Sequence, residues 1–151
     1  MPPSPLGASP DPVPSDPDPR LNEPARGAEP AFVLEVEVRY SETDQMGVAH
    51  HGSYLIYLEE ARTGLMRAHG TPYGDVERAG IGLPVRNISL KYRAPAFYED
   101  RLQVHCWVSA LRSASVTFSY EIYRGEQDGS CTHLLSATVE LACVDLSTKR
   151  P

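Results

Sequence analysis

The sequence predicts an α+β domain in which a curved, five-stranded antiparallel sheet wraps around one long central helix. Five segments alternate apolar and polar residues, which is typical of half-buried strands. Only one long segment carries apolar residues at helical spacing. Because five strands about 4.8 Å apart form a sheet roughly 24 Å wide, a single helix about 10 Å across cannot cover a flat sheet. We therefore expect the sheet to curl around the helix and a second subunit to cover the remainder.

The spacing of apolar residues changes near residue 50, and this change separates the first predicted strand from the helix. Residues 32–40 alternate between apolar and mostly charged side chains, which predicts a strand that runs to Tyr40. After Ser53 the apolar residues recur at helical spacing, and serine is a residue type that caps helix starts. Gly70 is suited to end that helix, which at about 17 residues would be roughly 26 Å long.

The remaining elements complete a β–α–β–β–β–β order. A loop rich in glycine and proline follows the helix, and one helical turn is expected within residues 73–79. The connections at 111–114 and 124–132 are short enough for antiparallel hairpins. The four further alternating segments are residues 87–93, 102–110, 116–122 and 135–143.

The N-terminal segment differs sharply in composition from the rest. Ten of the 14 prolines lie in residues 1–30, together with five acidic residues and few large apolar ones. Such a segment buries too little surface to offset the cost of ordering the chain, so we expect a disordered tail. A dispensable tail and an interaction tail both remain open. Residues 31–151 form the predicted folded domain.

Charge and composition exclude several classes of protein. The net charge is −6, which argues against nucleic-acid binding through a basic face. No apolar run approaches 18 residues, so we expect no transmembrane helix, and the first residues lack the pattern of a secretory signal. The three cysteines are an odd number without a CxxC motif, which favours reduced thiols and a cytoplasmic location.

The segment between the first strand and the helix is the most informative for chemistry. It places Asp44, His50 and His51 directly before the helix. A helix N-terminus has unpaired N–H groups and a partial positive charge, so it can hold a carbonyl oxygen that becomes an oxyanion. A nearby carboxylate can activate water or attack the carbonyl itself. From these residues alone, however, an aspartate in a loop before a helix is more often a turn or capping residue than a catalytic one.

Two motifs in this chain resemble a known family. The run TDQMGVAHHGSYL, followed later by LKYRAPA and Asp100, resembles the 4-hydroxybenzoyl-CoA thioesterase and YbgC-like branch of the hotdog-fold acyl-CoA thioesterases. The likeness spans roughly residues 33–145. It implies the hotdog fold, hydrolysis of an acyl-CoA thioester to a carboxylic acid and free CoA, and a homodimer or tetramer with its pocket at the subunit interface.

The resemblance also implies roles for individual residues. Asp44 matches the catalytic aspartate, acting as a general base or as a nucleophile. His51 matches the residue whose backbone N–H polarises the thioester carbonyl, and a role for its imidazole stays open. Tyr54 matches an aromatic residue that packs near the acyl group. Ser53 stands where the family often has asparagine, and Gly52 where it has another small residue or proline, so the acyl specificity is harder to infer.

The phosphates of CoA require basic groups, because the chain as a whole is acidic. Lys91 and Arg93 share a strand parity, and Arg112 lies at a predicted hairpin turn, so these three are candidate phosphate contacts. Ordinary solvated surface charges are the alternative. Glu59 or Glu60 on the helix is a rival to Asp44 as catalytic base, since some other hotdog thioesterases use a helix glutamate.

No cofactor or metal is expected. The five histidines have no further ligands at metal-binding spacing, and the chain has no phosphate-cradling loop or dinucleotide fingerprint. Coenzyme A enters only as part of the substrate. Two other functions stay open on the sequence: a hotdog enoyl-CoA hydratase or dehydratase, and a non-catalytic module that binds acyl-CoA.

Overall fold

The computed structural model describes residues 31–151, so the predicted disorder of residues 1–30 lies outside the described residues. Within these residues the chain forms two helices, seven strands and a short 3₁₀ turn. In chain order they are β1 (Phe32–Glu37), the 3₁₀ turn (Tyr40–Glu42), α1 (Ser53–Ala68), α2 (Tyr73–Arg78), β2 (Ile81–Gly82), β3 (Val85–Tyr92), β4 (Arg101–Arg112), β5 (Ser115–Gly125), β6 (Cys131–Ala142) and β7 (Val144–Asp145).

The main sheet has five antiparallel strands in the order β1–β4–β5–β6–β3. This confirms the predicted strand number, the predicted direction and both hairpins. Alternate residues of the three central strands face the core, as the period of two requires. Leu102 and Val104 on β4, Ile122 on β5, and Val139 and Leu141 on β6 are all at most 1% exposed.

Helix α1 packs against β1 and β4, at one end of the sheet. Its buried face includes Tyr57, Leu58 and Leu65. Gly64 lies on the same face, where an added Cβ would stand 2.6 Å from ring atoms of Phe32. The helix and the first strand are therefore in close contact, and the helix makes most of its contacts with the sheet at the β1 end.

Two predictions at the ends of elements were wrong. The first strand ends at Glu37, and the 3₁₀ turn that follows rotates Tyr40 outward, where it is 76% exposed. Ser53 does not cap α1, because the N-cap residue is Gly52 and the Ser53 hydroxyl donates to the carbonyl of Glu42 over 3.0 Å. The helix does stop where expected, close to Gly70, whose φ of +76° lies in the left-handed region that glycine adopts easily.

Strand β3 is less buried than its alternation predicts. Ile88 is 39% exposed and Tyr92 is 47% exposed, because α1 lies over the opposite end of the sheet. The small sheet formed by β2 and β7 is an addition that the sequence did not predict. Within residues 31–151, the structure contains no helix of the length and apolarity needed to cross a membrane.

Candidate active site

Asp44 lies in a tight turn between the 3₁₀ turn and α1. Thr43 pairs with Ala49, and the Asp44 N–H donates to the carbonyl of Val48 over 2.9 Å. The carboxylate oxygen Oδ1 of Asp44 accepts the N–H of Met46 at 2.8 Å. Asp44 thus stabilises its own turn, as expected of a turn-forming aspartate. It is nevertheless only half-buried and faces a cavity.

The cavity has a volume of about 350 Å³ and lies between the Asp44 turn and the end of β3. One side comes from residues 44–54 and the other from residues 92–95. Its surface combines one carboxylate, one imidazole and one guanidinium with aromatic and small apolar groups. The cavity is lined by Asp44, Val48, Ala49, His51, Tyr54, Tyr92, Arg93, Ala94 and Pro95.

His51 stands at the entrance to α1, one residue before the N-cap Gly52. Its carbonyl oxygen accepts the hydroxyl of Tyr92 at 2.8 Å, which ties the helix entrance to the end of β3. The imidazole of His51 lies against that of His50, with ring centroids 4.0 Å apart. His50 Nδ1 in turn accepts the Gly52 N–H at 3.1 Å, so the doublet is built into the helix start.

Tyr54 forms the floor of the cavity from the first turn of α1. It is 3% exposed, its ring contacts that of Tyr92 edge-on at 5.6 Å, and its hydroxyl accepts the N–H of Ala96 at 3.3 Å. Burial raises the pKa of the Tyr54 hydroxyl, against the opposite effect of the Ala96 bond. Tyr54 is therefore a neutral, mostly apolar surface at neutral pH.

The structure brings together four of the six predicted site residues: Asp44, His51, Tyr54 and Arg93 all line the cavity. Lys91, exposed on β3, and Arg112, exposed at the end of β4, do not line it. The rival bases also lie elsewhere. Glu59 and Glu60 are exposed on α1 and do not line the cavity.

Glu42 is a residue that the sequence analysis did not single out. It is 5% exposed, and its carboxylate accepts the Tyr57 hydroxyl at 2.5 Å and the Arg39 side chain at 2.6 and 2.9 Å. Its carbonyl accepts the N–H of His50 at 2.7 Å and the hydroxyl of Ser53 at 3.0 Å. Glu42 thereby joins both ends of the Asp44 turn to the start of α1. An acidic residue two positions before Asp44 was its only signal in the sequence.

The pKa shifts of Glu42 and Tyr57 agree with an ionised Glu42 carboxylate beside a neutral Tyr57 hydroxyl. Burial alone raises the pKa of Glu42, but the hydrogen bonds from Tyr57 and Arg39 outweigh it, so the pKa is lowered overall. Burial, followed by the bond to Glu42, raises the pKa of Tyr57. Both groups keep these charge states at neutral pH, so the contact is a charge-assisted hydrogen bond.

The other reactive groups do not point to a second chemistry. Burial raises the pKa of the Cys106 thiol to about 12, which keeps it protonated and unreactive at neutral pH. Within the described part of the chain, no three His, Cys, Asp or Glu side chains are grouped so as to hold a metal ion.

Comparisons with known proteins identify the family of this chain. A family model described as the thioesterase-like superfamily matches residues 38–151. YneP of Bacillus subtilis is 36% identical over 117 residues, which are 78% of this chain and 82% of YneP. The acyl-CoA thioester hydrolase YbgC of Escherichia coli O6:H1 is 32% identical over 120 residues, 80% of this chain and 87% of YbgC.

Solved structures show the same fold. The DHNA-CoA thioesterase from Staphylococcus aureus superposes with a TM-score of 0.73 at 32% identity, over 80% of this chain and 78% of that one. The fold and the matches together define a hotdog-fold thioesterase. The chain belongs to the thioesterase-like superfamily, within which it resembles the YbgC-like proteins. The predicted family and the predicted fold are confirmed.

Proposed function

We propose that this thioesterase hydrolyses an acyl-CoA thioester to a carboxylic acid and free CoA at the cavity between Asp44 and the start of α1. Relatives named as acyl-CoA thioester hydrolases support the reaction class. The observation that carries the proposal is geometric: a carboxylate and the N-terminal end of a 16-residue helix line the same cavity. That pairing suits a reaction in which a carbonyl oxygen gains negative charge.

In the proposed mechanism, the thioester oxygen accepts the backbone N–H of His51. The Asp44 carboxylate then either takes a proton from water that attacks the carbonyl carbon, or adds to that carbon itself to form an anhydride that water later cleaves. In both routes the carbon–sulfur bond breaks, the thiolate of CoA leaves and takes up a proton, and one water is consumed. The oxygen of that water enters the carboxylic acid when water attacks the acyl carbon. It enters Asp44 when water attacks the aspartyl carbon of the anhydride, and the acid then keeps a former Asp44 oxygen. The oxyanion formed on the way is stabilised by the helix end.

The remaining cavity residues bind the substrate in this proposal. Tyr54 packs against the acyl group, and Arg93 contacts a phosphate of CoA. Lys91 and Arg112 contact phosphates that extend beyond the cavity. The His51 imidazole lies at the cavity surface, where it can orient the attacking water. The reaction needs no metal or organic cofactor, because the carboxylate and the helix end supply both the base and the charge stabilisation.

The proposed active form is a homodimer, with a tetramer as a larger assembly of it. Strand β3 is an edge of the sheet, and its apolar residues are half-exposed. A second copy that pairs along β3 would cover them and would close the cavity, one side of which ends on that strand. A cytoplasmic location is also proposed, since the three cysteines are free and disulfides are rare in the reducing cytosol.

A thiol-release assay over aromatic, short-chain and medium-chain acyl-CoA substrates tests the reaction. We expect release with the unsubstituted chain, and Asp44→Asn to lower kcat by about 10²–10⁴-fold, the range typical of an acid–base group. Asparagine still accepts the N–H of Met46, so the turn and the fold are retained. Asp75→Asn, a change at an exposed aspartate of α2, is the matched control and should leave kcat unchanged.

Three outcomes would contradict the proposal. Undiminished turnover in Asp44→Asn would remove the aspartate from the mechanism. Tight acyl-CoA binding without thiol release would indicate a binding module, and hydration of an enoyl-CoA in place of thiol release would indicate a hydratase.

A further inference from the structure

A loop of residues 93–100, here named the wall loop, connects β3 to β4 and forms one side of the cavity. Backbone hydrogen bonds of Glu99 and Asp100 to Val38 hold the far end of the loop, and two further attachments lie nearer the cavity. At its beginning, the carbonyl of Leu134 accepts the N–H groups of Arg93 and Ala94, at 2.8 and 3.3 Å. The second attachment point comes from Arg124, near the end of β5, which does not line the cavity.

Arg124 holds the second half of the wall loop through its guanidinium. Its Nη1 donates to the carbonyl of Pro95 at 2.9 Å and to Asp100 Oδ2 at 3.1 Å, and the guanidinium lies 5.8 Å from the ring centroid of Phe97. Asp100 Oδ2 also accepts the N–H of Phe97 at 2.8 Å. The side chains of Arg124 and Asp100 are only 18% and 22% exposed, so these charge-assisted bonds are partly shielded from water.

The part of the loop held by Arg124 is connected to the reacting end of the cavity. Ala96 lies between the two groups that Arg124 binds, and its N–H donates to the Tyr54 hydroxyl at 3.3 Å. The carbonyl of Ala96 accepts the N–H of Ala49 at 2.8 Å, and Ala49 pairs with Thr43, the residue before Asp44. A continuous chain of hydrogen bonds therefore runs from Arg124 to the Asp44 turn.

We propose that Arg124 is a positioning residue for the hydrolysis, acting through the wall loop on the placement of Asp44 and Tyr54. The inference rests on the proposed function. Loss of Arg124 should affect the two halves of the wall loop differently, because Arg93 and Ala94 keep their own hydrogen bonds to Leu134. The phosphate-binding side of the cavity then stays in place, while the reacting side loosens. Loss of Arg124 should lower kcat and leave KM nearly unchanged.

The test compares Arg124→Met, Arg124→Lys and the control Glu126→Gln in the thiol-release assay, with the full chain. For Arg124→Met we expect kcat to fall roughly tenfold and KM to stay within about twofold, since small misplacements of reacting groups are costly. Lysine retains a cation but not the two-armed geometry, so Arg124→Lys should give an intermediate kcat. Glu126 accepts Arg124 Nε at 3.0 Å and has no bond to the wall loop, so Glu126→Gln should leave kcat unchanged.

Hydrogen–deuterium exchange provides a readout that does not depend on turnover. In Arg124→Met, the amides of Ala96 and Phe97 should exchange faster, while those of Arg93 and Ala94 keep their rates. An unchanged kcat in Arg124→Met with an active unsubstituted chain would overturn the inference alone, as would a rise in KM with kcat unchanged. Absence of thiol release by the unsubstituted chain would refute the proposed function, and with it the role of Arg124 in that reaction.

Discussion

The two sides of the cavity are built in different ways. The side that carries Asp44 is held by Glu42, whose buried carboxylate accepts hydrogen bonds from Arg39 and from Tyr57 of α1. The backbone carbonyl of Glu42 accepts the N–H of His50 and the hydroxyl of Ser53. The side that carries Tyr92 and Arg93 continues from β3, an edge strand whose residues are mostly exposed. The proposed reacting groups thus lie on the side that is held by contacts within one chain, whereas the opposite side ends on an exposed edge strand.

The difference follows from where α1 lies. The helix covers β1 and β4, so the apolar residues at that end become core. At the other end, Val85 and Ile88 are 49% and 39% exposed, beside unpaired backbone groups of the edge strand. An exposed apolar edge favours pairing with another chain. In the proposed mechanism, the reacting groups therefore come from one chain, and the proposed second copy closes the cavity around the substrate.

The largest expected effect comes from charging the β3 edge. Ile88→Lys should weaken the proposed homodimer by about 3 kcal/mol, roughly 10²-fold in its dissociation constant, because a lysine without a partner would be buried on pairing. Light scattering after size-exclusion chromatography measures the assembly, and thiol release measures the accompanying loss of activity. Val33→Lys, on the opposite edge strand β1 and with a similar 40% exposure, is the matched control.

A dimer that survives Ile88→Lys but dissociates in Val33→Lys would contradict an interface along β3. The homodimer would then form at the β1 edge, and the β3 side of the cavity would need no partner.

A smaller effect is expected from Glu42→Gln, which tests the internally held side. The amide group of glutamine would face the donors Tyr57 and Arg39, so the free energy of unfolding should fall by about 2 kcal/mol at pH 7. The pKa of Glu42 is lowered in the folded chain, so its stabilisation is present above the ordinary glutamate pKa and is lost as the pH falls through the folded value.

Urea unfolding at several pH values measures this effect. The gap between the unsubstituted chain and Glu42→Gln should be full at pH 7 and shrink in acid, as Glu42 takes up its proton. Glu59→Gln, at an exposed glutamate of α1, serves as control and should show no such gap. A constant gap at all pH values would mean that the ionised carboxylate does not stabilise the turn.

The smallest effect is expected from Arg93→Met on the open side. Loss of the proposed phosphate contact should raise KM about threefold to tenfold and leave kcat unchanged. The difference should diminish at high salt, because exposed charges are screened. Steady-state kinetics at two ionic strengths measures both, with Arg86→Met, an exposed change on β3, as control. A loss of kcat without a change in KM would contradict the division of the cavity into a reacting and a binding side.

Local patterns in the sequence predicted most of the fold. Alternation identifies the strands because the period of two is a property of each strand by itself, and Asp44 is placed by its short distance in sequence from α1. Tyr40 was misplaced because the backbone turns after β1, and a parity argument ends where the strand ends. Lys91 and Arg93 have the same strand parity, but only Arg93 lines the cavity, because β3 stops at Tyr92 and the chain then changes direction.

Contacts that form only when α1 packs against the sheet could not be predicted from the sequence. Glu42 meets Tyr57, 15 residues further on, only after α1 has packed against the sheet. The exposure of Ile88 likewise depends on which end of the sheet the helix covers. Alternation shows that a residue faces one side of a sheet, but it does not show what lies on that side.

Gly64 has a practical consequence for attempts to make this enzyme more resistant to heat. Alanine in place of glycine inside a helix ordinarily stabilises a protein by up to about 1 kcal/mol, so a protein engineer would choose this position early. Here the new methyl group would stand 2.6 Å from the ring of Phe32, and the ring or the helix would have to move. The close packing of α1 against β1 would be lost, so a design for higher thermostability should keep this glycine.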